Sequence, residues 1–298
     1  MRKGYPPQVD VTRAACGTRL TPNHSLSYAC AFVERQVESS ELRRDASADA
    51  PLARSAKVIV VMPARNAART LEQTVSAIPT DVVDEIILVD DKSTDSTLDV
   101  ARRLPLHLIW HPHNVGYGGN QKTCYLEALQ RGADVVVMLH PDGQYEPSLI
   151  PRMVEPILRG DADMVLGSRL AEPGAWREGG MPLYKYIANR GLTEIENRVL
   201  HAEFTELHTG YRAFSRELLL TVPFLRNSID FVFDTEMIMQ AIHFGFRIAE
   251  VPARTRYFPD ASSASFTQST VYGLKTLAAA VRYMLHRSHL LRSRKFMP

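Results

Sequence analysis

KVIVVMP, Lys57 to Pro63, is the stretch that decides the fold. Its apolar run from Val58 to Met62 is largely β-branched and closed by a proline, the pattern of a strand buried on both faces. Leu71, Val75 and Ile78 follow at helical spacing. The alternation then repeats: strand Glu85–Val89 (EIILV) and helix Ser93–Leu104, strand Leu106–Trp110 and helix Gly118–Arg131, strand Asp134–Leu139 and helix Pro147–Arg159, strand Asp163–Leu166. Uniformly apolar strands alternating with helices predict an α/β fold with a mostly parallel central sheet covered by helices on both faces. In such sheets ligands bind beyond the carboxyl ends of the strands, in the loops after Met62, Val89, Trp110, Leu139 and Leu166.

Further out the pattern loosens. Helices are expected over Leu183–Leu200, from Arg216, over Asp234–Phe244 and from about Thr270 to His286; short strands are expected at Thr209–Phe214, Ile248–Val251 and Arg254–Tyr257. Residues 1–55 mix charge, serine and alanine and read as a polar, poorly ordered extension. The expected organisation is that extension, a catalytic domain over 56–260, and a basic amphipathic helix and tail over 261–298. The tail carries Lys275, Arg282, Arg287, Arg292, Arg294 and Lys295. Val271, Leu274, Ala278, Val281 and Leu285 form an apolar stripe that reads first as core packing and second as a membrane face.

The 298 residues carry 45% hydrophobic and 23% charged side chains and a formal charge of +2. This is an ordinary globular balance, without the basic excess of a nucleic-acid binder. Cys16, Cys30 and Cys124 fit neither a disulfide framework nor a zinc site, so a reducing, cytoplasmic setting is expected. No apolar run is long enough to predict a transmembrane helix, and the first residues lack a signal-peptide core.

Four loops hold unusual polar groups. Asp90 and Asp91 stand together after strand two, where adjacent carboxylates repel unless used. One can accept from a nucleobase or ribose, and the other can hold the loop or cap the next helix. After strand three, Asn114 to Asn120 (NVGYGGN) is rich in glycine and could bring backbone N–H groups, with Gly118 and Asn120, close to phosphate. It lacks both the dinucleotide fingerprint and the P-loop pattern. After strand four, His140, Asp142 and Gln144 alternate and offer oxygen and nitrogen ligands to a divalent cation; an Asp-Gly turn is the plainer alternative. After strand five, Gly167-Ser168-Arg169 places an arginine able to hold a diphosphate.

Together VMPARNAARTLEQTV, VDEIILVDDKSTDST, NVGYGGNQ, MLHPDGQYEP and VLGSR resemble family 2 glycosyltransferases, nearest the dolichol- or polyprenyl-phosphate mannosyl- and glucosyltransferase branch. The resemblance runs from Lys57 to Phe214 and more loosely to Tyr257. It implies a glycosyltransferase A-type fold and inverting hexosyl transfer from a UDP- or GDP-sugar to an acceptor such as a polyprenyl phosphate, with Mn2+ or Mg2+. Pro63, Ala64, Arg65 and Asn66 match the segment bordering the base, and Asp91 the carboxylate that recognises it. Asp142 and Gln144 match the end of the metal motif, whose first aspartate is His140 here, an exchange that lowers magnesium affinity. Arg169 matches an arginine near the diphosphate or acceptor phosphate.

The segment Glu206 to Arg212 (ELHTGYR) lies where the family places its acceptor loop. Glu206 or His208 would be the base for a hydroxyl acceptor, whereas a phosphate acceptor needs none. Arg212 and Arg256 are further candidates for the acceptor phosphate, and Asp234 and Glu236 are other acidic candidates. The basic tail suits a peripheral protein on the cytoplasmic membrane face. Two rivals stay open. A nucleotidyltransferase would want a glycine-rich basic loop after strand one, which Pro63–Asn66 lacks; a non-catalytic binding protein would fit the loss of an aspartate to His140.

Overall fold

The computed structural model describes residues 56–255 and 266–297. The readings of residues 1–55 and of Arg256 fall outside the described residues.

Among them, seven strands form one sheet in the order β3-β2-β1-β4-β6-β5-β7. The strands are β1 (Val58–Ala64), β2 (Glu85–Asp90), β3 (His107–Trp110), β4 (Val135–Met138), β5 (Met164–Ser168), β6 (Arg212–Ser215) and β7 (Ile248–Pro252). Pairing is parallel except around β6, which runs antiparallel to both β4 and β5. β1 is buried along its whole length. Val58, Val60, Met62 and Ala64 join a core with Leu71 and Val75 of α1 (Leu71–Ser76) and with Ile150, Met153 and Val154 of α4 (Ile150–Leu158). Ile59 and Val61 point to the opposite face, against which α3 (Tyr117–Gln130) packs along β1 and β2. Both faces are therefore covered, which is why these strands show no polar alternation.

The strand order reverses between β1 and β4, the point where an open sheet parts into a crevice. Pro63 helps open it. β1 pairs with β4 only as far as Val61 and Met138, plus the Leu139 N–H on the Val61 carbonyl. The prolyl nitrogen, which has no hydrogen to donate, faces that side just where the pairing has ended.

Several local expectations change. The helix after β2 shrinks to α2 (Thr97–Ala101), because Asp90 accepts from the Ser93 N–H and Asp95 from the Thr97 N–H, holding Ser93–Ser96 as a turn. No strand forms at Arg254; Thr255 instead makes an isolated antiparallel bridge to Tyr145. The remaining helices are α5 (Ala175–Glu178), α6 (Leu183–Leu200), α7 (Arg216–Thr221), α8 (Val232–His243) and α9 (Phe266–Arg287).

The stripe on α9 is the largest correction. Val271 is 46% exposed, Leu274 64% and Val281 48%, while Tyr272, Thr276, Ala280 and Tyr283 form the face packed inward. The buried face carries a threonine and two tyrosine hydroxyls, so hydropathy alone points at the wrong side. Among the described residues no helix is long and apolar enough to cross a membrane.

Candidate functional site

The loops after β1, β2 and β4 are neighbours at the crevice, and short bonds fasten them to one another. Asn66, in the left-handed region at φ 53°, accepts the Thr94 N–H at 2.8 Å and donates its own N–H to Ser93 Oγ at 2.8 Å. The Ala67 N–H reaches Thr97 Oγ1, also at 2.8 Å. Thr70 Oγ1 donates to the Pro141 carbonyl, tying the β1 side to the β4 loop. Pro63 and Ala64 are buried strand residues, whereas Arg65 and Asn66 are exposed at the rim.

Asp90 and Asp91 are both buried. Asp90 holds its own turn through the Ser93 N–H and hydroxyl. Asp91 accepts from the Val115 N–H at 2.8 Å and the Gly116 N–H at 3.2 Å, and lies 3.3 Å from His111 Nδ1. The carboxylate that sequence assigns to the base thus organises the glycine-rich loop, with His111 as a neighbour that sequence reasoning missed. The only signal for His111 was its place just beyond a strand end.

The glycines of that loop serve packing rather than an approach to phosphate. The Gly118 N–H donates to the Ile229 carbonyl at 2.8 Å, and a Cβ there would sit 2.8 Å from Phe233 Cβ and closer still to the Ser228 carbonyl. Gly116, at φ 85°, lies equally tight against Ile229. Asn120 donates to the Val89 carbonyl at 3.0 Å and is buried. Gly118 and Asn120 therefore face protein, which corrects their reading as phosphate contacts.

In the β4 loop, His140 stacks on Tyr117 with centroids 5.6 Å apart, its Nε2 3.2 Å from the tyrosine oxygen. Gly210 leaves room for its ring; a Cβ at that position would come within 2.9 Å. His140 thus packs on Tyr117 and uses Nε2 in that contact. Asp142 accepts the Gln144 N–H with one oxygen, and the other makes no hydrogen bond among the described residues. Among those residues no three His, Cys, Asp or Glu side chains are grouped to hold a metal. The donor chemistry of Asp142 and Gln144 fits a hard divalent cation that takes its other ligands from a bound diphosphate.

On the far side of β6, the candidates are already paired. Glu206 is fully buried and accepts the Arg169 N–H at 2.7 Å and the guanidinium Nε at 2.8 Å; Nη2 of the same guanidinium also reaches the His208 carbonyl at 2.9 Å. Asn189 of α6 donates to the same carboxylate at 3.3 Å. One turn earlier on α6, Lys185 has its ammonium pulled down by burial and by the charge of Arg169. Sequence reading missed both, since a polar residue on an exposed-looking helix carries no mark of its partner.

His208 lies between Tyr272 Oη at 2.8 Å from Nδ1 and Glu196 Oε2 at 3.0 Å from Nε2. Burial favours the neutral ring, but Tyr272 and Glu196 outweigh it and raise His208 to about 10. Neither Glu206 nor His208 is placed as a free base. Arg212, expected at the acceptor phosphate, is 0% exposed and pairs with Asp234 at 2.9 Å. Asp234 also accepts from Tyr117 at 2.7 Å and Gln121 at 3.0 Å, so this pair is an internal brace between β6, α3 and α8. Glu236 is likewise taken, by Lys295 and the Ser228 N–H.

Known proteins resemble this chain in sequence and in fold. The model of "Glycosyl transferase family 2" matches residues 59–222. The UDP-N-acetylglucosamine–dolichyl-phosphate N-acetylglucosaminyltransferase of Methanococcus voltae is 28% identical over 67% of this chain and 86% of its own. The undecaprenyl-phosphate mannosyltransferase of Micrococcus luteus is 28% identical over 66% and 82%. Among solved structures, glucosyl-3-phosphoglycerate synthase from Mycobacterium tuberculosis superposes with a TM-score of 0.59 at 19% identity, covering 80% of this chain and 82% of that one, a likeness of fold. The motif-bearing loops, the crevice they share and a family match spanning more than half of the chain lead to one conclusion: this protein belongs to glycosyl transferase family 2.

Proposed function

We propose that the protein transfers a hexosyl residue, with inversion, from a nucleotide-diphospho-sugar to a polyprenyl phosphate at a membrane surface. The observation that carries the choice of acceptor is the state of the two candidate bases. Glu206 is sealed under Arg169 and the His208 side chain is buried between Tyr272 and Glu196, so neither is placed to take the proton of a hydroxyl acceptor. A phosphate monoester is already a nucleophile and needs no base. The lipid-phosphate acceptors in the names of the Methanococcus and Micrococcus relatives support the same reading.

In this reading the crevice between β1 and β4 takes the nucleotide. Arg65 and Asn66 border the base, and the Asp90–Asp91 turn fixes the walls. Asp142 and Gln144 hold a divalent cation against the diphosphate; when bound, it supplies positive charge to the departing nucleoside diphosphate. Arg169, oriented by Glu206, meets the acceptor phosphate. The outward stripe Val271, Leu274, Ala278 and Val281, rimmed by Lys275 and Arg282, rests on anionic lipid.

The test is nucleotide release from a panel of UDP- and GDP-sugars, with and without a short-chain polyprenyl phosphate and a chelator. Acceptor-dependent, chelator-sensitive release of one nucleotide is expected. Release that follows a soluble hydroxyl acceptor instead would overturn the choice of acceptor, and no release from any donor would favour a binding protein. Liposome flotation of Leu274→Asp with Val281→Asp tests the surface without disturbing the buried face of α9. Undiminished flotation of that variant removes the membrane role from α9.

A further inference from the structure

Helix α9 carries chemistry on both faces. Outward lies the apolar stripe; inward, Tyr272 reaches His208, 64 residues away in sequence. His208 belongs to a segment, 202–211, with no helix or strand of its own, so its conformation rests on the bonds its groups make. Two hydrogen bonds and one ion-pair contact converge on this residue. Its side chain is only 4% exposed and is held by Tyr272 of α9 and by Glu196 of α6, itself 1% exposed. Its backbone carbonyl accepts Nη2 of Arg169 at 2.9 Å. Thr235 of α8 stands 3.4 Å from the Tyr272 oxygen and gives that hydroxyl a second partner.

The carbonyl that fixes one arm of Arg169 is thus held in place by a side chain anchored on α6 and α9. Glu206 holds the Arg169 N–H, Nε and, together with that carbonyl, Nη2, and the Glu250 carboxylate locks the Thr205 and Glu206 N–H groups at 2.8 and 3.0 Å. Glu206 is anchored within the sheet region, by Glu250 of β7. Among the described contacts of Arg169, the one to the His208 carbonyl is the one that depends on helix α9.

We propose that Tyr272 is a positioning residue for the acceptor phosphate: the seating of α9 on His208 sets where Arg169 stands. The surface that meets lipid and the residue that meets the lipid's phosphate are then two sides of one helix contact. The inference rests on the functional reading above for the identity of the acceptor, but not for the mechanical link.

The experiment uses the full chain carrying Tyr272→Phe, which removes one hydroxyl and keeps the ring, with Glu196→Gln as an independent second variant. Loss of one buried hydrogen bond corresponds to about a five- to tenfold rise in KM for a short-chain polyprenyl phosphate. The KM for the nucleotide-sugar, and nucleotide binding by calorimetry, stay at the wild-type value. Exchange of the Arg169 Nη2 protons, one of which donates to the His208 carbonyl, followed by NMR, reads the same placement without substrate and is expected to quicken in both variants. An unchanged acceptor KM overturns the proposal, as does a parallel fall in activity toward both substrates with unchanged exchange, the mark of a merely smaller folded fraction. If the wild-type chain uses no polyprenyl phosphate at all, the functional reading fails by itself, and the exchange rate at Arg169 still decides the positioning role.

Discussion

The two halves of the site are built on different plans. On the nucleotide side, polar residues bond within or between adjoining loops: Asn66 to Thr94 and Asp91 to Gly116 across loops, Asp90 to Ser93 within its own turn. Asp142, at the centre, keeps one carboxylate oxygen clear of the bonds described there. On the acceptor side nearly every candidate is consumed by a charged partner, as in Arg169–Glu206, Arg212–Asp234, His208–Glu196 and Glu236–Lys295. The first half is arranged for a ligand to complete; the second is braced before any ligand arrives. Substitutions should therefore cost activity in the first half and stability in the second.

The strongest test of that contrast is Arg212→Met. It leaves Asp234 buried with its charge uncompensated, and about 3–5 kcal/mol of stability should be lost in chemical denaturation. A loss below about 1 kcal/mol would show that the brace is dispensable. Asp142→Ala, by contrast, should reduce nucleotide release on the order of a hundred- to a thousandfold while moving the melting temperature little, because its one described bond is to the neighbouring Gln144 N–H. A variant that unfolds would erase the distinction between the halves.

Gly118→Ala sharpens the boundary between them, since its contacts at Ser228 and Phe233 join the glycine loop to the brace. Overpacking of this kind costs about 1–3 kcal/mol, measured by thermal unfolding. If the loop instead serves phosphate alone, stability stays and nucleotide affinity falls. The gentlest probe is pH. His208 is raised in the folded chain from its ordinary 6.5 to about 10, so its contribution is complete below about 6.5 and is lost as pH climbs toward 10. Its slope is at most about 1.4 kcal/mol per pH unit. In Glu196→Gln the decline should still begin near 6.5 but end at lower pH with a smaller total loss, and identical profiles for the two proteins would place the imidazolium's support elsewhere.

The plan of each half also decides how much of it the sequence discloses. β1, β4 and β5 were readable because strands buried on both faces are apolar along nearly all their length, while β2 and the half-buried β3 kept short apolar runs. The loops of the crevice were readable because their chemistry lies within a few residues, as in His140-Pro141-Asp142-Gly143-Gln144. The pairing partners of Glu206, His208 and Arg212 lie 37, 64 and 22 residues away, and no local pattern marks them. Hence two candidate bases and a phosphate ligand turned out to be already bonded. Helix α9 misled for a related reason: tyrosine and threonine inward, valine and leucine outward, invert the usual hydropathy rule.

The antiparallel strand β6 also has a consequence for the chain as it leaves the ribosome. β1 to β4 pair among themselves and can begin to associate as they emerge. Among the described residues β5 pairs only with β6 and β7, both later in the chain. Its apolar segment, Met164 to Ser168, must wait about forty residues for Arg212–Ser215 to appear. At ordinary rates of synthesis that interval lasts about 2–9 s. During it the nascent polypeptide displays a sticky, unsatisfied edge, which makes this strand the natural place for a chaperone to hold and for aggregation to begin when translation stalls.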